Sequence, residues 1–64
     1  MNDSNRKAAE FHDLAAHAHR AAAAKHEQGD HQSGQELSRQ ALEYSRRAYE
    51  HAREAHNETD KGAL

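Results

Sequence analysis

Apolar residues recur at intervals of three and four along most of this chain, which is the spacing of an amphipathic helix. In the first half the stripe consists mainly of alanines: Ala8, Phe11, Leu14, Ala15, Ala18, Ala21 and Ala22. In the second half it consists of Leu37, Ala41, Tyr44, Ala48, Ala52 and Ala55. The sequence contains no proline that would break either run. The pattern therefore predicts two helices, over about residues 4–28 and 31–58, followed by a loose tail over about residues 59–64.

Gly29 and Asp30 separate the two stripes. Glycine suits the left-handed position that ends a helix, and aspartate suits the cap of the next one. The run Ser33-Gly34-Gln35-Glu36 is a second candidate start, because it has the spacing of a capping box. Of the two, the tight turn at Gly29 and Asp30 is favoured.

A connection this short forces two long helices to lie antiparallel. Folding about the turn sets Leu14 beside Tyr44 or Ser45, and it sets Phe11 beside Ala48. Large residues on one helix meet alanines on the other, which permits a close approach. The sequence thus predicts an all-α protein with one domain, an antiparallel two-helix hairpin.

Size and composition indicate that this hairpin needs a partner. A chain of 64 residues without cysteine can use neither disulfides nor thiolate metal sites, and its own core is small. A net charge of −2 does not favour nucleic-acid binding. The longest apolar run, Ala21 to Ala24, is too short for a membrane span. We therefore expect a cytoplasmic protein that gains stability by self-association, with no nucleic-acid or membrane partner.

A second face flanks the apolar stripe. His12, His19 and His26 follow one another at intervals of seven residues, as do Leu42, Tyr49 and His56 in the second half. In an antiparallel hairpin these two rows lie on the same side, with His31 near the turn. We call these seven residues the histidine face. Large apolar side chains such as Leu42 and Tyr49 are unfavourable on a solvent-exposed face, so we expect another protein surface to cover them. We therefore predict a homodimer in the form of a four-helix bundle. Its interface is predicted to contain His12, His19, Leu42, Tyr49 and His56.

The remaining surfaces of the hairpin are predicted to be exposed to solvent. The flank opposite the histidine face carries Glu10, His17, Gln40, Arg47, His51 and Glu54. The outer surface of the second helix alternates in charge along Arg39, Glu43, Arg46, Glu50 and Arg53. Such alternation is typical of a solvated lattice of ion pairs rather than a binding site.

Seven histidines in a chain of this length suggest transition-metal chemistry, since neutral imidazole binds Zn, Cu, Ni and Co. The candidate ligands are His12, His19, His26 and His31. No two histidines are three or four residues apart, so a site would have to form across helices or subunits. Two alternatives to metal binding remain. The histidines could lie in an interface that weakens when they are protonated at acidic pH, or they could be polar side chains that form hydrogen bonds within a small bundle.

Catalysis finds no support in the sequence, which has neither a glycine-rich phosphate loop nor a recognisable nucleophile arrangement. The chain is accordingly predicted to be a non-enzymatic binding or interaction module. No cofactor is predicted other than the transition-metal ion of the histidine site.

The run Lys25-His26-Glu27-Gln28-Gly29-Asp30-His31, together with Ala48-Tyr49-Glu50-His51-Ala52 and Ala55-His56, resembles short alanine- and histidine-rich helical-hairpin proteins of bacteria. The resemblance rests on composition and covers most of the chain. It implies a helical hairpin and transfers no residue roles.

Overall fold

Two long helices make up the described chain. The computed structural model describes the backbone of residues 3–63 and the side chains of residues 3–57. Helix α1 spans Asp3–Glu27 and helix α2 spans His31–Ala63, with no strand among the described residues. Helix α2 thus continues beyond the predicted end near residue 58, into the predicted tail. Leu64, the end of that predicted tail, lies outside the described residues.

The two helices pack against each other along a seam of small side chains. The buried apolar residues, all of them alanines, are Ala8, Ala15, Ala18, Ala22, Ala41, Ala48 and Ala55. Three members on each helix stand seven residues apart, the period that keeps one row of side chains facing an antiparallel neighbour. The described residues include no large side chain that is fully buried. The seam therefore lets the backbones approach closely but removes little apolar surface from water.

Contacts along the hairpin establish its antiparallel direction. Near the open end, the Ser4 hydroxyl donates a hydrogen bond to the Glu54 carboxylate, with Oγ and Oε2 3.2 Å apart. Halfway along, the Phe11 ring packs against Tyr44, with ring centroids 6.3 Å apart. At the turn, His26 meets His31. These three contacts agree with the antiparallel register that was predicted for a turn at Gly29.

Leu14 departs from its predicted place in the seam. Its side chain is 44% exposed. The interface on α1 is centred on Ala15, Ala18 and Ala22, and Leu14 lies about 100° around the helix from Ala15, which puts it at the edge. Packing alanine on alanine leaves no room there for a leucine to turn inward.

The chain reverses at Gly29, whose φ of 82° is the left-handed conformation that glycine adopts without steric cost. The Gly29 amide donates to the His26 carbonyl (3.0 Å), and the Asp30 amide donates to the Lys25 carbonyl (2.9 Å). This pair of bonds is the Schellman motif, which satisfies the last carbonyls of α1.

Asp30 also begins α2. Its carbonyl accepts from the Gly34 amide (3.0 Å), and its carboxylate Oδ1 accepts from the Ser33 amide (3.2 Å). That second bond is the N-cap interaction. One residue therefore closes the first helix and caps the second, so that α2 starts at His31 and not at the alternative start near Ser33.

Neither helix, over the described residues, contains a stretch long and apolar enough to cross a membrane.

The different placement of Phe11 and Leu14 predicts unequal costs of truncation. Phe11→Ala is expected to lower the free energy of unfolding by about 2 kcal/mol, less than the roughly 3–5 kcal/mol of a fully buried phenylalanine, because the ring is half-buried. Leu14→Ala should cost about 1 kcal/mol or less. Urea unfolding followed by circular dichroism at one protein concentration measures both. Equal losses would place Leu14 back in the seam.

Candidate functional site: the histidine face and the hairpin turn

The middle of the histidine face is open to solvent in the hairpin. Leu42 is 68% exposed and Tyr49 is 63% exposed. His12, His19 and His56 are exposed as well. Leu42 and Tyr49 lie seven residues apart and so share one side of α2. Two large apolar side chains thus stand next to a seam in which the buried apolar residues are alanines.

A shallow depression runs along α2 around these two side chains. Leu42, Ser45 and Tyr49 line it, together with the charged residues Arg39 and Arg46. Glu36, Gln40 and Glu43 line it as well. Apolar and charged side chains thus lie next to one another here, and both kinds occur in surfaces that pack against another protein.

At the turn, the structure brings His26 and His31 together. The two Nδ1 atoms are 3.2 Å apart, and the ring centroids are 5.4 Å apart with 40° between the ring planes. Five residues on one continuous helix would place these side chains about 140° apart. They meet only because the chain reverses at Gly29 between them.

Gly34 provides the space for the His26 ring. A Cβ atom built at Gly34 would lie 2.7 Å from Nε2, 2.8 Å from Cε1 and 2.9 Å from Cδ2 of His26. These distances are too short for non-bonded atoms, so a side chain at this position would displace the ring. Gly34 also stands seven residues before Ala41 and continues the row of small residues on α2.

The four candidate metal ligands are not assembled within one chain. His26 and His31 are in contact, whereas the other two candidates, His12 and His19, lie on α1 two heptads and one heptad before His26, respectively. Over the side chains that the structure describes, no group of three or more His, Cys, Asp or Glu residues could hold a metal ion. The geometry thus offers one pair of imidazoles.

His51 does not lie on a wet flank as predicted. Its ring is stacked on Phe11, with centroids 5.5 Å apart and planes 6° apart, and its side chain is only 24% exposed. Arg47 lies over the Phe11 ring at 5.9 Å. His51 was predicted to be exposed to solvent on the flank opposite the histidine face. Because it lies seven residues after Tyr44, however, the two rings lie at the same edge of the seam. That spacing was the signal that could have placed it.

One nitrogen of His51 is buried without a hydrogen bond. No hydrogen-bond partner reaches Nδ1, and the nearest charged atom is Oε2 of Glu54 at 3.6 Å. The same carboxylate oxygen accepts the hydrogen bond from Ser4. Glu54 therefore links the start of α1 to the aromatic cluster of Phe11, Tyr44 and His51.

The outer surface of α2 carries the predicted ladder of ion pairs. Arg46 reaches Glu43 at 2.6 Å and Glu50 at 3.2 Å, and Arg47 reaches Glu43 at 3.3 Å. The hydrogen bond from Arg46 lowers the pKa of Glu43, and the same bond raises the pKa of Arg46. Exposed pairs of this kind contribute little to stability. No ion pair involves the other two predicted members of the ladder, Arg39 and Arg53, among the contacts that the structure describes.

A scan against protein-family models, a search of curated proteins and a search of solved structures each find no significant match.

The cap at Asp30 makes the stability of the turn depend on pH. The hydrogen bond from the Ser33 amide is the main reason that the pKa of Asp30 lies below its ordinary value of 3.8. A folded-state pKa below the unfolded one means that the stabilisation is present above about pH 4 and is lost as the pH falls through the folded value. Asparagine caps helices without this charge.

We expect the difference in unfolding free energy between the wild type and Asp30→Asn to shrink as the pH falls from neutral to about 3. Other carboxylates are common to both proteins and cancel in the difference. Urea unfolding at several pH values measures it. A difference that does not vary with pH would show that the carboxylate does not act as the cap.

Proposed function

We propose that this protein is a small non-enzymatic interaction module that associates with a second copy of itself through the histidine face, forming a four-helix bundle. The observation that carries the proposal is the exposure of Leu42 and Tyr49, 68% and 63%, beside a seam built from alanine. Fully burying a large apolar side chain gains about 1.5–3 kcal/mol, and most of that gain is still unrealised at these two positions in the single hairpin.

A second copy fits this face better than an acidic or basic partner. Four charged residues on the outer surface of α2 are paired with one another, Arg46 with Glu43 and Glu50, and Arg47 with Glu43. The histidine face itself carries no carboxylate, lysine or arginine among its seven residues and is uncharged when the imidazoles are neutral. Uncharged apolar surfaces associate with their like, and a two-fold dimer requires only that one patch be self-complementary.

The energetics of the hairpin also favour association. Ordering each residue costs about 1–2 kcal/mol of conformational free energy, and alanine burial recovers little of it. A chain of 64 residues without disulfides has few other sources of stability. Covering Leu42 and Tyr49 with a second hairpin buries apolar surface that the single chain leaves exposed.

Sedimentation and two matched variants test the dimer. We expect the wild type to sediment at twice the chain mass in the micromolar range, with a melting temperature that rises with protein concentration. Leu42→Ser combined with Tyr49→Ser should yield single chains. Leu14→Ser removes an exposed leucine from the other flank and should leave the mass unchanged. A wild type that is monomeric at micromolar concentration with full helicity would falsify the proposal.

The histidines of this face give the dimer a second testable property. His12, His19 and His56 are exposed in the hairpin and become covered if the face is the interface. Covering an imidazole disfavours its charged form, so association is strong at pH 8 and weakens towards pH 5. Sedimentation across that range measures the change. An unchanged dimer would mean that the histidines lie outside the contact.

A further inference from the structure

The paired imidazoles at the turn have a geometry that the proposed dimer does not explain. His26 belongs to the last turn of α1 and His31 is the first residue of α2. Both side chains are exposed, and their Nδ1 atoms are 3.2 Å apart. At this distance one Nδ1 carries a proton and donates it to the other, or the two nitrogens share a third partner.

We propose that His26 and His31 form a two-histidine site for a divalent transition-metal ion such as Zn²⁺, Cu²⁺ or Ni²⁺, bound through both Nδ1 atoms. Nitrogens about 2.0–2.1 Å from a tetrahedral ion are roughly 3.3–3.4 Å apart, and cis nitrogens of a square-planar ion are about 2.8–3.0 Å apart. The observed 3.2 Å lies between these values. The two nitrogens therefore already stand at the separation that one ion requires.

The proton balance of binding is simple. Without a metal, one neutral ring carries its proton on Nδ1 and donates it to the Nδ1 of the other. With the metal bound, both rings are neutral and carry their protons on Nε2, so that both Nδ1 lone pairs are available. The proton moves within the ring by exchange with water, and none is lost or gained overall when both rings start neutral.

The turn that creates the pair also limits its motion. Gly29 and Asp30 fix the reversal through the hydrogen bonds to His26 and Lys25, and Asp30 holds Ser33. The Asp30 carboxylate interacts electrostatically with both Lys25 and His31. Its negative charge favours a cation at the turn, and the Lys25 ammonium opposes that effect in part.

Gly34 acts as a positioning residue for this site. Its lack of a side chain lets the His26 ring lie against α2, where a Cβ atom would come within 2.7 Å of Nε2. Glycine inside a helix is less favourable than alanine, so Gly34→Ala should not unfold α2. The substitution instead turns the His26 ring away from His31 and separates the two ligands without removing either.

The site offers two protein ligands, since no third His, Cys, Asp or Glu joins them among the described side chains. The remaining coordination positions face solvent and take water. Each imidazole must be neutral to bind, so the affinity falls as the solution is acidified. The proposal is independent of the dimer, because both ligands come from one chain.

Calorimetric titration of the tag-free chain with Zn²⁺ at neutral pH tests the site. We expect one ion per chain in the tightest class of binding, with affinity reduced by about tenfold or more in His26→Gln and in His31→Gln. Gly34→Ala should reduce it by a similar factor while retaining or increasing helicity, which circular dichroism reports. His17→Gln removes an exposed histidine on the other flank and should leave the affinity unchanged.

Nuclear magnetic resonance with Cu²⁺ locates the ion, since the paramagnetic ion broadens nearby signals. Broadening centred on residues 26–34 supports the site. Wild-type affinity in His26→Gln or His31→Gln overturns it, and so does an equal loss in His17→Gln. One ion per two chains, lost in His12→Gln or His19→Gln, would replace it with a site between subunits. Leu42→Ser with Tyr49→Ser should bind one ion per chain whether or not the dimer exists.

Discussion

Contact of alanine with alanine along the hairpin is the constraint on which the rest of this structure depends. Ala8, Ala15 and Ala22 on one helix and Ala41 and Ala48 on the other are buried. Methyl groups are the only side-chain atoms these positions contribute, so the helices approach closely and leave no space between them for anything larger. None of the large side chains that the structure describes is fully buried in the seam.

The two edges of the seam differ in what they contain. One edge holds the cluster of Phe11, Tyr44 and His51, where aromatic contacts bridge the helices. The other side holds Leu42 and Tyr49, which reach solvent. The first edge is completed within the chain and the second is not. This asymmetry favours self-association through the face of Leu42 and Tyr49, because two large apolar side chains are exposed there and the opposite flank exposes only Leu14 among the described residues.

The turn imposes a second constraint that is independent of the seam. Asp30 donates a hydrogen bond to α1 and accepts hydrogen bonds from α2, and Gly29 supplies the left-handed conformation that makes this possible. The reversal brings together side chains that a continuous helix would separate, and His26 and His31 are the pair so formed. The same geometry explains why residue 34 is a glycine. The space that a Cβ atom at Gly34 would take is occupied by the imidazole ring of His26.

Sequence periodicity was sufficient to determine two helices, their break at Gly29, their antiparallel register and most of the seam. These features are local or follow from local ones: helical spacing fixes which side chains share a face, and a short turn fixes the direction of the second helix. The proximity of His26 and His31 was also predictable, because the turn lies between them, whereas the space that Gly34 leaves for the His26 ring was not. The dimer remains a prediction, because its interface lies between two chains.

Tertiary structure alone decided the positions at the edges of the seam. The three-four spacing assigned Leu14 to the seam, and the position around the helix assigned His51 to the solvated flank, and both assignments were wrong. Where two helices meet on alanine, the distance between the backbones decides which edge residues can reach the opposite helix. Leu14 is left at the surface, whereas His51 comes within stacking distance of Phe11. The seven-residue spacing from Tyr44 indicates the edge of the seam on which His51 lies, but the distance between the backbones arises only when both helices are in place.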